Sequence, residues 1–173
     1  MVLSKIRPNW WLLIIGLLIA GVLLFSFRYT LLNSYISLKF QQTKFIPTWE
    51  LESWLVYANR EQPIVFDART PQEYQVSHLP HAVLGGSLED VHQRLSGMRS
   101  THPIVVYCSE GLRAAKLSQR IRNLGYQNIY LLDGSIYRWA NEGRPLWRDD
   151  SRVKIVKVYN FLGHLLLNWT YHS

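Results

Sequence analysis

Residues 103–113 read Pro103-Ile-Val-Val-Tyr-Cys108-Ser-Glu-Gly-Leu-Arg113. The short apolar, β-branched run after the proline predicts a buried strand over 103–108. Ser109-Glu110-Gly111 breaks that run. A helix is expected from there to Leu124, with Gly125 as its C-terminal stop. A sulfur placed where a strand ends and a helix begins sees unpaired N–H groups and the positive end of the helix dipole. Gly111 lets the backbone curl so that successive N–H groups converge on one anion. A thiolate or persulfide is such an anion, and Arg113 adds a fixed charge suited to an oxyanion donor.

Working outward, Pro63–Asp67 and Asn128–Leu132 are two further short apolar strands. Thr48 opens a helical stripe of Leu51, Trp54, Leu55 and Ala58. Thr70-Pro71-Gln72-Glu73 is a capping box with proline at the first helical position, predicting a helix over 71–76. Ser87 caps a helix through about Leu95, and Ser135 begins one that ends at Gly143. Strands alternating with helices predict an α/β fold, a parallel sheet with helices on both faces. Sites in such sheets form beyond the carboxyl ends of the strands, where Cys108 falls.

The chain has 173 residues, 19 Lys plus Arg, 12 Asp plus Glu, six His and a single cysteine. One cysteine excludes an intrachain disulfide and a Cys-rich metal site, and no metal or organic cofactor is expected. The positive charges are dispersed, which disfavours nucleic acid and suits lipid head groups or a small anion. From Pro8 to Phe27 there is no charged residue. Twenty residues rise about 30 Å, the thickness of a hydrocarbon core. Trp10, Trp11 and Tyr29 sit at its ends, bracketed by Lys5, Arg7 and Arg28. The bulky exit Phe25-Ser-Phe-Arg-Tyr argues against a cleaved signal peptide. The expectation is a single-pass transmembrane anchor over 1–28, followed by a juxtamembrane linker or short amphipathic helix over 29–44. The positive-inside rule nearly ties. A basic domain with a free thiol favours the cytoplasmic side.

Three segments then show a resemblance to the rhodanese-like sulfurtransferase family, over about Phe45 to Trp147. The first, Asp67-Ala-Arg69-Thr-Pro-Gln-Glu73-Tyr74-Gln-Val-Ser-His78-Leu-Pro80-His-Ala82, is similar to the family's Asp-x-Arg…Glu-Phe/Tyr…His-Ile/Leu-Pro-x-Ala signature. The second is the loop from Cys108 to Arg113. The third, Gly134-Ser135-Ile-Tyr-Arg-Trp139-Ala-Asn-Glu-Gly143-Arg-Pro145, resembles its closing motif. Ser77, His81 and Ser135 depart from the usual glycines at turn positions. The resemblance implies a rhodanese fold and a sulfurtransferase of thiosulfate:thiol or cyanide type. Cys108 would carry the persulfide, and Ser109, Glu110, Gly111, Leu112 and Arg113 would form its cradle. Four residues separate Cys108 from Arg113, where the related phosphatases place five, and the tighter loop suits sulfur over phosphate. Asp67, Arg69, Glu73 and His78 read as a structural network, His81 as an exposed turn histidine, and Trp139 as core.

The implied partners are a small sulfur donor (thiosulfate or a persulfide), a thiol acceptor and membrane lipid. The rival function is a non-catalytic rhodanese-fold membrane scaffold or docking module. The tail, 148–173, reads as an amphipathic helix. It could pack on the domain, lie on a bilayer or bind a protein partner.

Overall fold

The computed structural model describes residues 10–57 and 61–173, with the side chains of all but 24–26. Lys5, Arg7, Pro8 and Ala58 lie outside the described residues. Five parallel strands form one sheet in the order β1-β5-β4-β2-β3: Phe45–Ile46 (β1), Ile64–Asp67 (β2), Ala82–Leu84 (β3), Ile104–Tyr107 (β4) and Ile129–Leu132 (β5). The central strand β4 is buried along its whole length, as a doubly covered parallel strand requires. Its alternate residues serve two cores. Val105 and Tyr107 join Leu51 of α2 (Thr48–Val56) and Ile136 and Trp139 of α6 (Ser135–Asn141). Ile104 and Val106 join Val91 and Leu95 of α4 (Leu88–Leu95) and Ala114, Ala115 and Ile121 of α5 (Leu112–Asn123). Each fully buried Val, Leu or Ile among them contributes roughly 1.5–3 kcal/mol.

The expected Thr70 capping box and Ser87 cap form, and Asp90 makes the second a box as well. Thr70 and Glu73 cap α3 (Pro71–Val76), and Ser87 and Asp90 cap α4. The expected Thr48 cap does not form. Pro47 is the N-cap of α2, and the Thr48 hydroxyl donates to the Glu142 carboxylate instead. The helix expected to run to Ala58 stops within the described residues at Val56.

The N-terminal segment differs from expectation in two ways. A straight span over 8–27 is not what the described residues form. Helix α1 runs from Trp10 to Lys39, and its halves, Trp10–Leu23 and Phe27–Lys39, are inclined by 60°. Among the described residues no single helix is long and apolar enough to cross a membrane, though the bent pair passes together by length and composition. The first half rises only about 21 Å at 1.5 Å per residue, short of a hydrocarbon core of about 30 Å. Second, residues 29–44 are neither a linker nor a separate short helix: 29–39 are helical, as one alternative had it, but continue α1 and pack on the domain. Tyr29 packs in the α2/α6 core, Ile36 and Phe40 in the α4/α5 core, and Leu32 against both. Asn33 donates to Asp133, just beyond β5. The second half of α1 therefore lies across the carboxyl ends of the strands.

The tail is not one amphipathic helix. Leu146–Arg148 (β6) and Ser151–Val153 (β7) pair antiparallel about a turn in which Asp149 has φ 49°. A short helix, Phe161–Leu166 (α7), and a 3-10 turn, Trp169–Tyr171, follow. Val156, Leu166 and Leu167 are buried on the domain, while Phe161, Leu165 and Trp169 are exposed.

Candidate functional site

Cys108 follows β4 directly and is fully buried. Its amide donates to Ser135 Oγ at 3.2 Å, and its carbonyl accepts from the Ile136 amide at 3.2 Å, so the strand end is pinned to the start of α6. The Gly111 amide donates to Cys108 Sγ at 3.0 Å. One loop N–H is thus directed at the sulfur. Gly111 has φ +122°, and a Cβ there would stand 2.7 Å from Ile36 Cδ1. Glycine is required both by the backbone and by the helix lying on it.

Burial pushes the Cys108 thiol above its ordinary value. The Glu110 carboxylate adds to that shift, and the Ala114 and Gly111 N–H groups and Arg113 oppose it. The sequence suggests a loop that favours the thiolate. In the closed form burial outweighs the loop's N–H groups. What closes it comes from far along the chain. Ile36 packs on Gly111, Tyr159 stacks on Arg113 with the guanidinium 4.0 Å from its ring centroid, and Asn160 Nδ2 lies 3.5 Å from Glu110 Oε1.

Arg113, which the sequence aims at an anionic donor, is engaged within the protein. Its Nη1 and Nη2 donate to the two oxygens of Glu73 at 2.7 and 2.8 Å, and Nη2 also donates to Ser109 Oγ at 2.8 Å. Ser109 Oγ in turn donates to Glu73 Oε1 at 3.1 Å. Glu73 also accepts from the Thr70 amide and hydroxyl, both at 3.0 Å. Burial alone would raise the Glu73 carboxyl. The donors from Arg113 and Thr70 outweigh it and bring the pKa down to about 2. Glu73 thus couples the capping box of α3 to the cysteine loop, closer to the chemistry than its helix-capping role suggests.

Asp67 and Arg69 form a separate buried pair. Arg69 Nη2 donates to Asp67 Oδ2 at 2.7 Å and to the Ser77 carbonyl, and the Tyr107 hydroxyl donates to the same Asp67 oxygen at 2.6 Å. The Tyr107 hydroxyl also accepts from the Leu79 amide at 3.1 Å. These bonds brace the ends of β2 and β4 without touching Cys108. His78 stacks on Tyr74, with ring centroids 4.1 Å apart, and its backbone pairs with Trp147, so it holds the turn before β3. His81 is an exposed turn residue with φ 57°. Trp139 is core, its indole N–H donating to the Pro145 carbonyl. Leu112 opens α5. Among the described residues no group of three or more His, Cys, Asp or Glu side chains is placed to hold a metal.

The motifs do not reveal Ile36, Tyr159 or Asn160, since nothing local marks a residue that covers a loop more than 45 positions away. Tyr107 and Ser135 carried a usable signal. A tyrosine ending a fully buried strand needs a partner for its hydroxyl, and a serine at a usual glycine position brings a hydroxyl to the loop.

A model of the rhodanese-like domain matches residues 53–142, more than half of the chain. Among curated proteins, a tRNA uridine(34) hydroxylase of Corynebacterium glutamicum (strain R) is 29% identical over 108 residues, covering 57% of this chain and 34% of that protein. One from Leptospira interrogans is 30% identical over 97 residues, covering 53% and 26%. The chain thus spans about a third or less of the length of these relatives. Among solved structures, thiosulfate sulfurtransferase from Pseudomonas aeruginosa aligns with a TM-score of 0.51 at 25% identity, covering 61% of this chain and 19% of that one. The BH2092 protein from Bacillus halodurans aligns at 0.58 and 19% identity, covering 69% and 87%, a likeness of fold.

Proposed function

The chain belongs to the rhodanese-like domain family, and from that premise we propose that it is a sulfurtransferase carrying sulfane sulfur as a persulfide on Cys108. The observation that carries this reading is the Gly111 amide aimed at Cys108 Sγ from a loop that closes on Arg113 five positions beyond the cysteine. The Cys108 thiolate attacks the outer sulfur of the donor. The donor's S–S bond breaks, and its electron pair leaves with the remainder, sulfite in the case of thiosulfate. An acceptor thiolate then attacks the outer sulfur of the persulfide, takes it, and returns Cys108 as thiolate. Glu73 holds Arg113 and Ser109, and so the loop, in shape.

The relatives named as tRNA uridine(34) hydroxylases share only this part of their length. We therefore place the reaction on the cysteine loop rather than on a tRNA. The exposed apolar side chains of Trp10–Leu23 support a further part of the reading, that this arm inserts into a bilayer. The domain would then face the cytoplasm, where a free thiol is maintained.

The test is mass spectrometry of the full chain after exposure to a sulfur donor in excess, thiosulfate and an organic persulfide in parallel. Wild type should gain the mass of one sulfur atom and Cys108→Ser none. Equal labelling of both would reject the relay and favour a non-catalytic module.

A further inference from the structure

Glu110 stands inside the cysteine loop, two residues beyond Cys108, and is only 4% exposed. Among the described residues its Oε2 has no hydrogen-bond partner, and its Oε1 lies 3.5 Å from Asn160 Nδ2, a long contact. Arg113 lends it charge but no hydrogen bond, because both terminal nitrogens of Arg113 are engaged by Glu73 and Ser109. A buried carboxyl is normally satisfied. Here one of its oxygens is left bare within the loop that holds the nucleophile, the Glu110 charge adds to the raised pKa of the Cys108 thiol, and burial raises its own pKa.

We propose that Glu110 sets donor selectivity. Its carboxylate, one oxygen of which has no hydrogen-bond partner among the described residues, steers sulfur transfer away from dianionic donors such as thiosulfate and towards organic persulfides whose carbon chain is uncharged or cationic. The proposal deepens the sulfurtransferase reading and rests on it. Like charges brought together in a partly dry loop repel strongly, whereas an uncharged group meets only the neutral surface of the loop. The step itself is unchanged. The Cys108 thiolate attacks the outer sulfur of R–S–SH, the S–S bond breaks, RS⁻ leaves, and Cys108–S–SH remains. Glu110 touches neither bond and acts through its charge.

The experiment compares the full chain with Glu110→Gln, Glu110→Asp and Asn160→Asp. The last keeps an acceptor for the Gly163 amide, which Asn160 Oδ1 caps at 2.9 Å, and adds a second carboxylate beside Glu110. Two readouts are taken. The first is kcat/KM with thiosulfate, mercaptosuccinate persulfide, mercaptoethanol persulfide and cysteamine persulfide. The second is the rate of Cys108 alkylation by iodoacetate relative to iodoacetamide, reagents of like size that differ in charge, so that the opening of the buried loop cancels in the ratio. Glu110→Gln should raise the thiosulfate-to-mercaptoethanol-persulfide preference and the iodoacetate-to-iodoacetamide ratio, each roughly tenfold. Asn160→Asp should lower both, and Glu110→Asp should leave both near wild type. Ratios unchanged across the set, with Cys108 still taking sulfur, would overturn the proposal alone. A shifted alkylation ratio with no sulfur loaded from any donor would uphold the charge discrimination and overturn the sulfurtransferase reading.

Discussion

At the scale of single residues, Glu73 joins the most bonds to the cysteine loop. It accepts from Arg113, Ser109 and Thr70, and its carboxyl is held at about 2 against an ordinary 4.5. A carboxyl depressed in the folded state contributes stability above its unfolded pKa. That contribution is lost as pH falls from about 4.5 towards 2 and amounts to about 2–3 kcal/mol. The urea midpoint of the wild type should therefore drop between pH 6 and pH 2.5 by more than that of Glu73→Gln. The variant should already be weaker at pH 6 by roughly 3 kcal/mol, because Arg113 is left without its partner. Equal pH slopes for the two proteins would show that the clasp contributes little in solution. Glu110 opposes Glu73 in sign. Its carboxyl is raised, so its ionisation costs stability as pH rises, and Glu110→Gln should not weaken the fold at neutral pH.

At the scale of elements, what the sequence revealed depended on whether its signal was local. The box Thr70-Pro71-Gln72-Glu73 and the Ser87 cap were legible because each satisfies orphan N–H groups within four residues. β2, β4 and β5 were legible as apolar β-branched runs. β1 has two residues and β3 three, too few to show a period, and the β6–β7 pair was hidden because the tail from 148 onward reads as an amphipathic helix. Of the site, the cysteine, its glycine and the carboxylate that holds Arg113 lay within motifs, while its cover did not. The second half of α1 is that cover's largest part, and Ile36, fully buried against Gly111, is its point of contact. Ile36→Ala should cost about 2–5 kcal/mol through the cavity it leaves and should speed iodoacetamide modification of Cys108. Leu38→Ala on the same arm, 87% exposed, should change stability by less than about 0.5 kcal/mol and leave the thiol as slow as before. A thiol equally slow in Ile36→Ala and wild type would assign the barrier to the Tyr159–Asn160 side.

At the scale of the whole molecule, the two halves of α1 differ in exposure. Its second half is part of the domain, and its first half presents apolar side chains around its circumference, with Trp10, Leu13, Leu17, Leu18 and Val22 each at least 60% exposed. A helix apolar all round is favoured by an apolar surrounding. We therefore expect the full chain to stay with liposomes through high-salt and alkaline washes, which remove charge-bound proteins but not inserted ones. Leu17→Arg with Leu18→Arg places two charges near the middle of that arm. Each costs about 2.5–3.5 kcal/mol at the centre of a membrane helix, enough to release the protein. The thermal midpoint of the domain should not move, because both leucines face away from it at 74% and 64% exposure. Release without loss of stability would separate the arm's role from that of the arm covering Cys108. Wild-type protein that washes off as readily as the double variant would remove the bilayer from the proposed function and leave the sulfur relay on Cys108 intact.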